Sequence, residues 1–177
     1  MEVDTPYADT VVNVLTDAFM PDPVVCWLFP ETTERRQLQA GFYRSLLGHP
    51  AAEAHLVGHD GAAIWLTFTN GQALGGEPPQ HDRLRALGEA LAERHPKEPH
   101  LYLPCMGVVS TRQGAGIGSA MLRQRLERTD LPAYLEASSP RSRALYARHG
   151  FADLGEPVRV LDSPPLWPMW RPPEGTR

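Results

Sequence analysis

A chain of 177 residues suits one domain with a single substantial core. Its net charge of −4 gives nucleic acid or an anionic membrane no obvious purchase, and no apolar run approaches the ~20 residues of a bilayer span. Cys26 and Cys105 sit in apolar surroundings and make no disulfide framework, and Met1-Glu2-Val3-Asp4 lacks the basic and apolar stretches of a signal peptide, so the chain reads as a reduced, cytoplasmic protein.

In chain order, Thr5-Pro6 places a capping hydroxyl before a proline, and Tyr7 to Met20 follows as a helix. Pro21-Asp22-Pro23 stops it. Val24 to Phe29 is apolar and leads into a second helix from about Thr33 to Leu47, with Leu38, Phe42, Leu46 and Leu47 on or near one face. Ala54–Val57 and Ala62–Phe68 flank His59-Asp60-Gly61, whose Asp-Gly signals a hairpin. Asn70 to Pro79 is a loop by composition, and Asp82 to Arg94 reads as a third helix weakened by Gly88. Leu101 to Val109 is rich in strand formers. Ile117 to Arg128 is an amphipathic helix, Tyr134 to Ser138 a strand, and Ser139-Pro140 the cap of another helix through Tyr146. Val158–Leu161 and Leu166–Trp170 read as late strands around Ser163-Pro164-Pro165. The proline-rich tail from Pro164 is partly packed through Trp167 and Trp170.

The segment that carries function is Gln113-Gly114-Ala115-Gly116-Ile117-Gly118-Ser119, between a strand and a helix. A glycine-rich turn opening a helix leaves backbone N–H groups converging on one spot, favoured for an anion by the helix dipole. Such a nest suits a phosphate or pyrophosphate. A Walker A loop fails, because the only lysine, Lys97, lies upstream. A dinucleotide fingerprint is strained: Ser110 to Gln113 separate Val109 from the first glycine, and too little chain follows Glu136 for a doubly wound sheet. A plain connecting turn is the remaining alternative.

Gln113 through Gly118 matches the Gln/Arg-x-x-Gly-x-Gly/Ala signature of the GNAT superfamily of acyl-CoA-dependent N-acyltransferases. Tyr134-Leu135-Glu136-Ala137-Ser138 resembles the family's next strand, and Leu145-Tyr146-Ala147-Arg148-His149-Gly150-Phe151 its Leu-Tyr-x-x-x-Gly-Phe helix end. The resemblance is strong from Leu101 to Phe151. It implies one α+β (mixed α/β) domain over 1–177, with a central mixed, mostly antiparallel sheet and helices on both faces. It also implies a cofactor cleft between the strands that the family counts as four and five, here Leu101–Val109 and Tyr134–Ser138. Acetyl-CoA is then the co-substrate, without a metal, and a small-molecule primary amine the acceptor. Met106 and Val108 would offer backbone groups to pantetheine, and Gln113, Gly114, Ala115, Gly116, Ile117, Gly118 and Ser119 would hold the pyrophosphate. Ser139 departs from the family's usual asparagine, with Ser142 as a substitute contact. A catalytically silent acyl-CoA-binding module is the alternative.

Acetyl transfer to an amine needs a proton acceptor and a proton donor for the departing sulfur. By resemblance Tyr146 is the acid. His100, Tyr102 and Glu136, near the implied cleft, are candidates for the base; His100 has a suitable ordinary pKa of ~6.5. Phe19, Trp27, Phe29, Trp167 and Trp170 are candidates to line an apolar acceptor pocket, with Asp22 available for a cationic amine. The tail tryptophans equally suit core closure or a homodimer contact.

Overall fold

The computed structural model describes residues 5–69 and 81–173. In order, its elements are α1 (Thr5–Phe19), α2 (Pro23–Leu28), α3 (Thr32–Leu47), β1 (Ala52–Val57), β2 (Gly61–Phe68), α4 (Asp82–Arg94), β3 (His100–Val108), α5 (Ile117–Leu126), β4 (Ala133–Ala137), α6 (Pro140–Arg148), β5 (Ala152–Asp153) and β6 (Trp167–Arg171). Strand β2 is apolar on both faces and decides the layering. Ala62 and Ile64 meet Val11, Val12, Leu15 and Tyr43 from α1 and α3. Ala63 and Trp65 point the other way, among Met121, Leu122 and Tyr146 from α5 and α6. A strand buried on both faces belongs at the middle of a three-layer domain.

The sheet runs β1-β2-β3-β4-β6-β5, and only β3 and β4 are parallel. This is the mixed, mostly antiparallel α+β sheet with helices on both faces that the resemblance implies. Two local readings need correction. Val24 to Phe29 is largely a helix, because Asp22 Oδ1 accepts from the N–H groups of Val24 and Val25 and Pro23 opens the first turn. Val158–Leu161 is no strand: Val158 makes a single bridge to Leu166, and Leu161 lies at φ 55. The strand read over Leu166–Trp170 is β6, which inserts between β4 and the short β5. The loop read over Asn70–Pro79 lies outside the described residues. Among the described residues no helix is long and apolar enough to cross a membrane.

One irregularity positions the site. Ile64 pairs with Cys105 and Leu66 with Tyr102, so the single residue Trp65 stands opposite both Leu103 and Pro104. This bulge accommodates a proline that has no N–H for the ladder. On the other edge of β3, pairing with β4 covers Leu101↔Ala133, Tyr102↔Tyr134 and Leu103↔Leu135 and then stops. Beyond Pro104 the two strands separate, although β3 runs on to Val108 and β4 to Ala137.

Candidate active site

The gap between β3 and β4 is bordered by backbone on one side. Val109 N–H donates to Asp60 O at 2.9 Å, on the β2 side. Strand alternation therefore turns the N–H and C=O groups of Met106 and Val108 toward the gap. Gln113 joins this edge to α6: its Nε2 donates to Val108 O at 3.1 Å, and its Oε1 accepts from Arg141 Nη1 at 2.9 Å.

The glycine turn follows directly. Gly114 and Gly116 adopt φ 84 and φ 81, a region open to glycine at little cost, and nothing lies within 4 Å of where their Cβ atoms would be. Gly116 caps α5, so Ile117, Gly118 and Ser119 present the first N–H groups of the helix over this open space. Ala115 is exposed, whereas the Ile117 side chain packs on the core beside Gly61. Gly118 lets α6 approach, since a Cβ there would meet Leu145 Cδ2 at 3.4 Å. Ser119 Oγ shares a hydrogen bond with His149 Nε2 at 2.6 Å. Ser142 is engaged in a capping box with Ser139 at the start of α6.

Tyr146 projects from α6 into the core, with its ring edge-on to Phe151 at 6.0 Å. Its hydroxyl makes no hydrogen bond among the described residues, and burial, then the Cys105 sulfur and the Asp22 carboxylate, push its pKa up. A segment from α1 to α2 straps the gap on the opposite face. At one end Ala18 and Phe19 press on β3: a Cβ at Gly107 would sit 2.6 Å from Ala18 Cβ and 3.1 Å from Phe19 Cε2. At the other end Ser138 Oγ, just past β4, donates to Asp22 Oδ2 at 2.6 Å.

Glu136 stands where β4 leaves β3. Tyr102 donates its hydroxyl to Glu136 Oε2 at 2.9 Å, while Glu136 Oε1 and the neighbouring Tyr134 hydroxyl are buried outside hydrogen-bond geometry. Burial raises the Glu136 carboxyl to about 7 against the opposing Tyr102 hydrogen bond. His100 is 1 % exposed and packs against the rings of Phe68, Tyr134 and Trp170. Its Nδ1 donates to Glu98 O at 2.7 Å, and its Nε2 lies 3.0 Å from His95 Nε2. With one His100 nitrogen donating, the other accepts from His95. Burial, then the proximity of His100, lowers His95 to about 4, and burial lowers His100.

No protein-family model matches the chain. It is 27% identical over 163 residues to a mycothiol acetyltransferase of Jonesia denitrificans, matching 85% of this chain and 49% of that protein. The chain thus spans about half the length of this curated relative. A structure described as histone acetyltransferase HPA2 and related acetyltransferase from Corynebacterium glutamicum superposes with TM-score 0.68 at 28% identity, over 98% of this chain and 94% of the other. A GNAT-family acetyltransferase from Desulfovibrio desulfuricans shares the fold, with TM-score 0.56, 14% identity and coverage of 96% and 93%. The chain has the GNAT fold and is similar to acetyltransferases of that superfamily.

In this GNAT fold the strands counted as four and five are β3 and β4. The proposed acceptor aromatics do not gather into one pocket. Trp27 donates Nε1–H to Asp162 Oδ1 at 2.8 Å beneath the Arg83 guanidinium, and Phe29 packs on His81. Trp167 and Trp170 belong to opposite faces of the sheet because β6 alternates. Phe19 alone of the five approaches the β3 edge at Gly107. An open hollow of about 420 Å³ lined by Pro30, His81, Asp82 and Arg83 lies at the start of α4, away from the gap.

Sequence reasoning missed His95, Arg141 and Ser138. Pro104 inside a strand pattern is a signal that could have located the bulge, and Asp22-Pro23 one that could have located the α2 cap. Nothing local marks the His95–His100 or Asp22–Ser138 pairs. Among the described residues no cluster of ligating side chains could hold a metal ion.

Proposed function

We propose that this protein transfers an acetyl group from acetyl-CoA to the primary amine of a small molecule, by direct attack of the amine on the thioester. The observation that carries the reading is the Tyr146 hydroxyl, without a hydrogen bond, beside a strand gap that opens next to a glycine-capped helix. The residues fit the cofactor: the space over Gly114 and Gly116 is one that Cβ atoms would fill, and the Met106 and Val108 backbone faces the gap. Bound there, acetyl-CoA supplies an activated acyl carbon and a thiol leaving group.

The backbone from Gln113 through Ser119 holds the pyrophosphate, and Met106 and Val108 meet the pantetheine amides as an added strand would. Tyr146 delivers its proton to the sulfur. Its raised pKa keeps that proton in place until the thiolate begins to form. Glu136 accepts the proton of the amine, since a carboxyl near 7 is matched to a neutral working pH. His100 is the weaker candidate, because both of its ring nitrogens are engaged. The strap over the gap, anchored at Gly107 and Ser138, supports a small acceptor, as does the mycothiol in the name of the Jonesia relative.

Calorimetric titration with CoA, acetyl-CoA and NAD tests the cofactor. CoA binding with no NAD binding is expected, and strong weakening in a folded Gly116→Glu variant; unchanged CoA affinity in that variant defeats the glycine-loop assignment. A free-thiol assay over polyamines, aminoglycosides, aromatic amines, amino acids and peptide N-termini tests transfer. Tight CoA binding without turnover on any of them would leave a silent acyl-CoA-binding module.

A further inference from the structure

Asp22 is a half-buried carboxylate without a counter-charge. Its Oδ1 accepts from the N–H groups of Val24 and Val25 at 2.9 and 3.0 Å, and its Oδ2 accepts from Ser138 Oγ at 2.6 Å. All three donors are neutral. No arginine, lysine or histidine pairs with it among the described residues. Arg35, fixed near the same turn, spends its donors on the carbonyls of Phe29, Met20 and Pro30, and Arg36 pairs with Asp17. Burial accordingly raises the Asp22 carboxyl against its three hydrogen bonds.

The cap alone does not call for a charge. Serine, threonine or asparagine would cap α2 about as well, without burying an anion. The reach to Ser138, across the open end of the β3–β4 gap, is also no part of a cap. Asp22 therefore keeps an uncompensated negative charge at the mouth of the gap, in electrostatic range of the Tyr146 and Tyr43 hydroxyls. A buried anion at a cleft, missing its cation, is best explained by a ligand that brings one.

We infer that Asp22 is the docking point for the acceptor's ammonium group, which displaces the Ser138 hydroxyl from Oδ2, so that acceptors enter as cations and neutral or anionic nucleophiles are disfavoured. The inference rests on the acetyl-CoA reading above and names the charge class of the acceptor. Glu136 lies within β4 two residues before Ser138, which is just past the strand's end.

Two thioethers of CoA test this without knowledge of the acceptor. S-(2-aminoethyl)-CoA carries an ammonium close to the sulfur, and S-(2-hydroxyethyl)-CoA is its neutral isostere. By calorimetry at pH 7 the protein should prefer the amine by about tenfold or more, as a partly buried ion pair warrants. Asp22→Asn, which retains a capping oxygen, should bring the two affinities together while leaving that of the hydroxyethyl compound within about twofold. Asp22→Ser provides the same comparison if the asparagine variant does not fold. Equal affinities in the unaltered protein, or a preference that survives the loss of the carboxylate, overturns the inference. Absence of binding by either compound defeats the CoA reading itself, and this inference with it.

Discussion

The Tyr102 hydroxyl donates to Glu136 Oε2 at 2.9 Å, tying β3 to β4 at the point where the two strands part. The carboxyl so held is the most consequential titrating group of the gap. Burial raises it from 4.5 to about 7. The native protein then binds more protons than the unfolded chain between these values. Its contribution is complete below about pH 4.5 and is lost as pH rises through 7, amounting to roughly 3 kcal/mol. Glu136→Gln keeps an acceptor for Tyr102 and cannot ionise. Urea unfolding at pH 5 and pH 8 should show the variant gaining on the unaltered protein at the higher pH, and an equal difference at both pH values would refute the assignment.

His95 acts in the opposite sense. Its value of about 4 lies below the ordinary 6.5, so the unfolded chain binds the extra proton and stability falls as pH drops from 6.5 toward 4. His95→Gln should abolish that loss, so that the variant grows more stable as pH drops toward 4.5. Between about pH 4.5 and 6.5 the two groups oppose each other, and the unaltered protein should therefore show a shallower pH dependence than either variant. Thermal melts at half-unit intervals of pH measure this.

Tyr146→Phe should separate catalysis from stability. The hydroxyl has no hydrogen bond among the described residues, so its removal leaves no partner unsatisfied and should change the melting temperature little. Loss of a general acid should nevertheless lower turnover by about 10²–10⁴ on whichever amine proves best, with CoA affinity nearly unchanged. Full turnover in the phenylalanine variant would return Tyr146 to core packing.

Two glycine-to-alanine changes should have opposite signs. At Gly107 the new Cβ would lie 2.6 Å from Ala18 Cβ, so α1 must lift from β3 at a cost of about 1–3 kcal/mol. At Gly41, inside α3, nothing lies within 4 Å, and alanine should stabilise the helix by about 0.5–1 kcal/mol. Denaturation midpoints decide both. A neutral Gly107→Ala would show that the strap is not seated on β3.

Features whose causes are local were legible in the order of residues alone. Asp60-Gly61 marks the β1–β2 hairpin, Ser139-Pro140 marks the start of α6, and the glycines from 114 to 118 mark the α5 mouth, because turn and cap chemistry acts over a few residues. The spacing from Gln113 to Phe151 carried the resemblance and with it the cleft between β3 and β4. What lies across that cleft emerged from the packed fold. Trp65 meets two residues of β3, His95 meets His100, and Asp22 meets Ser138 116 positions away. The tail tryptophans fall on opposite faces because β6 inserts between β4 and β5, which its own proline-rich composition does not announce. Pairings of this kind depend on register and on packing between distant segments, and a one-dimensional pattern specifies neither until the sheet has assembled.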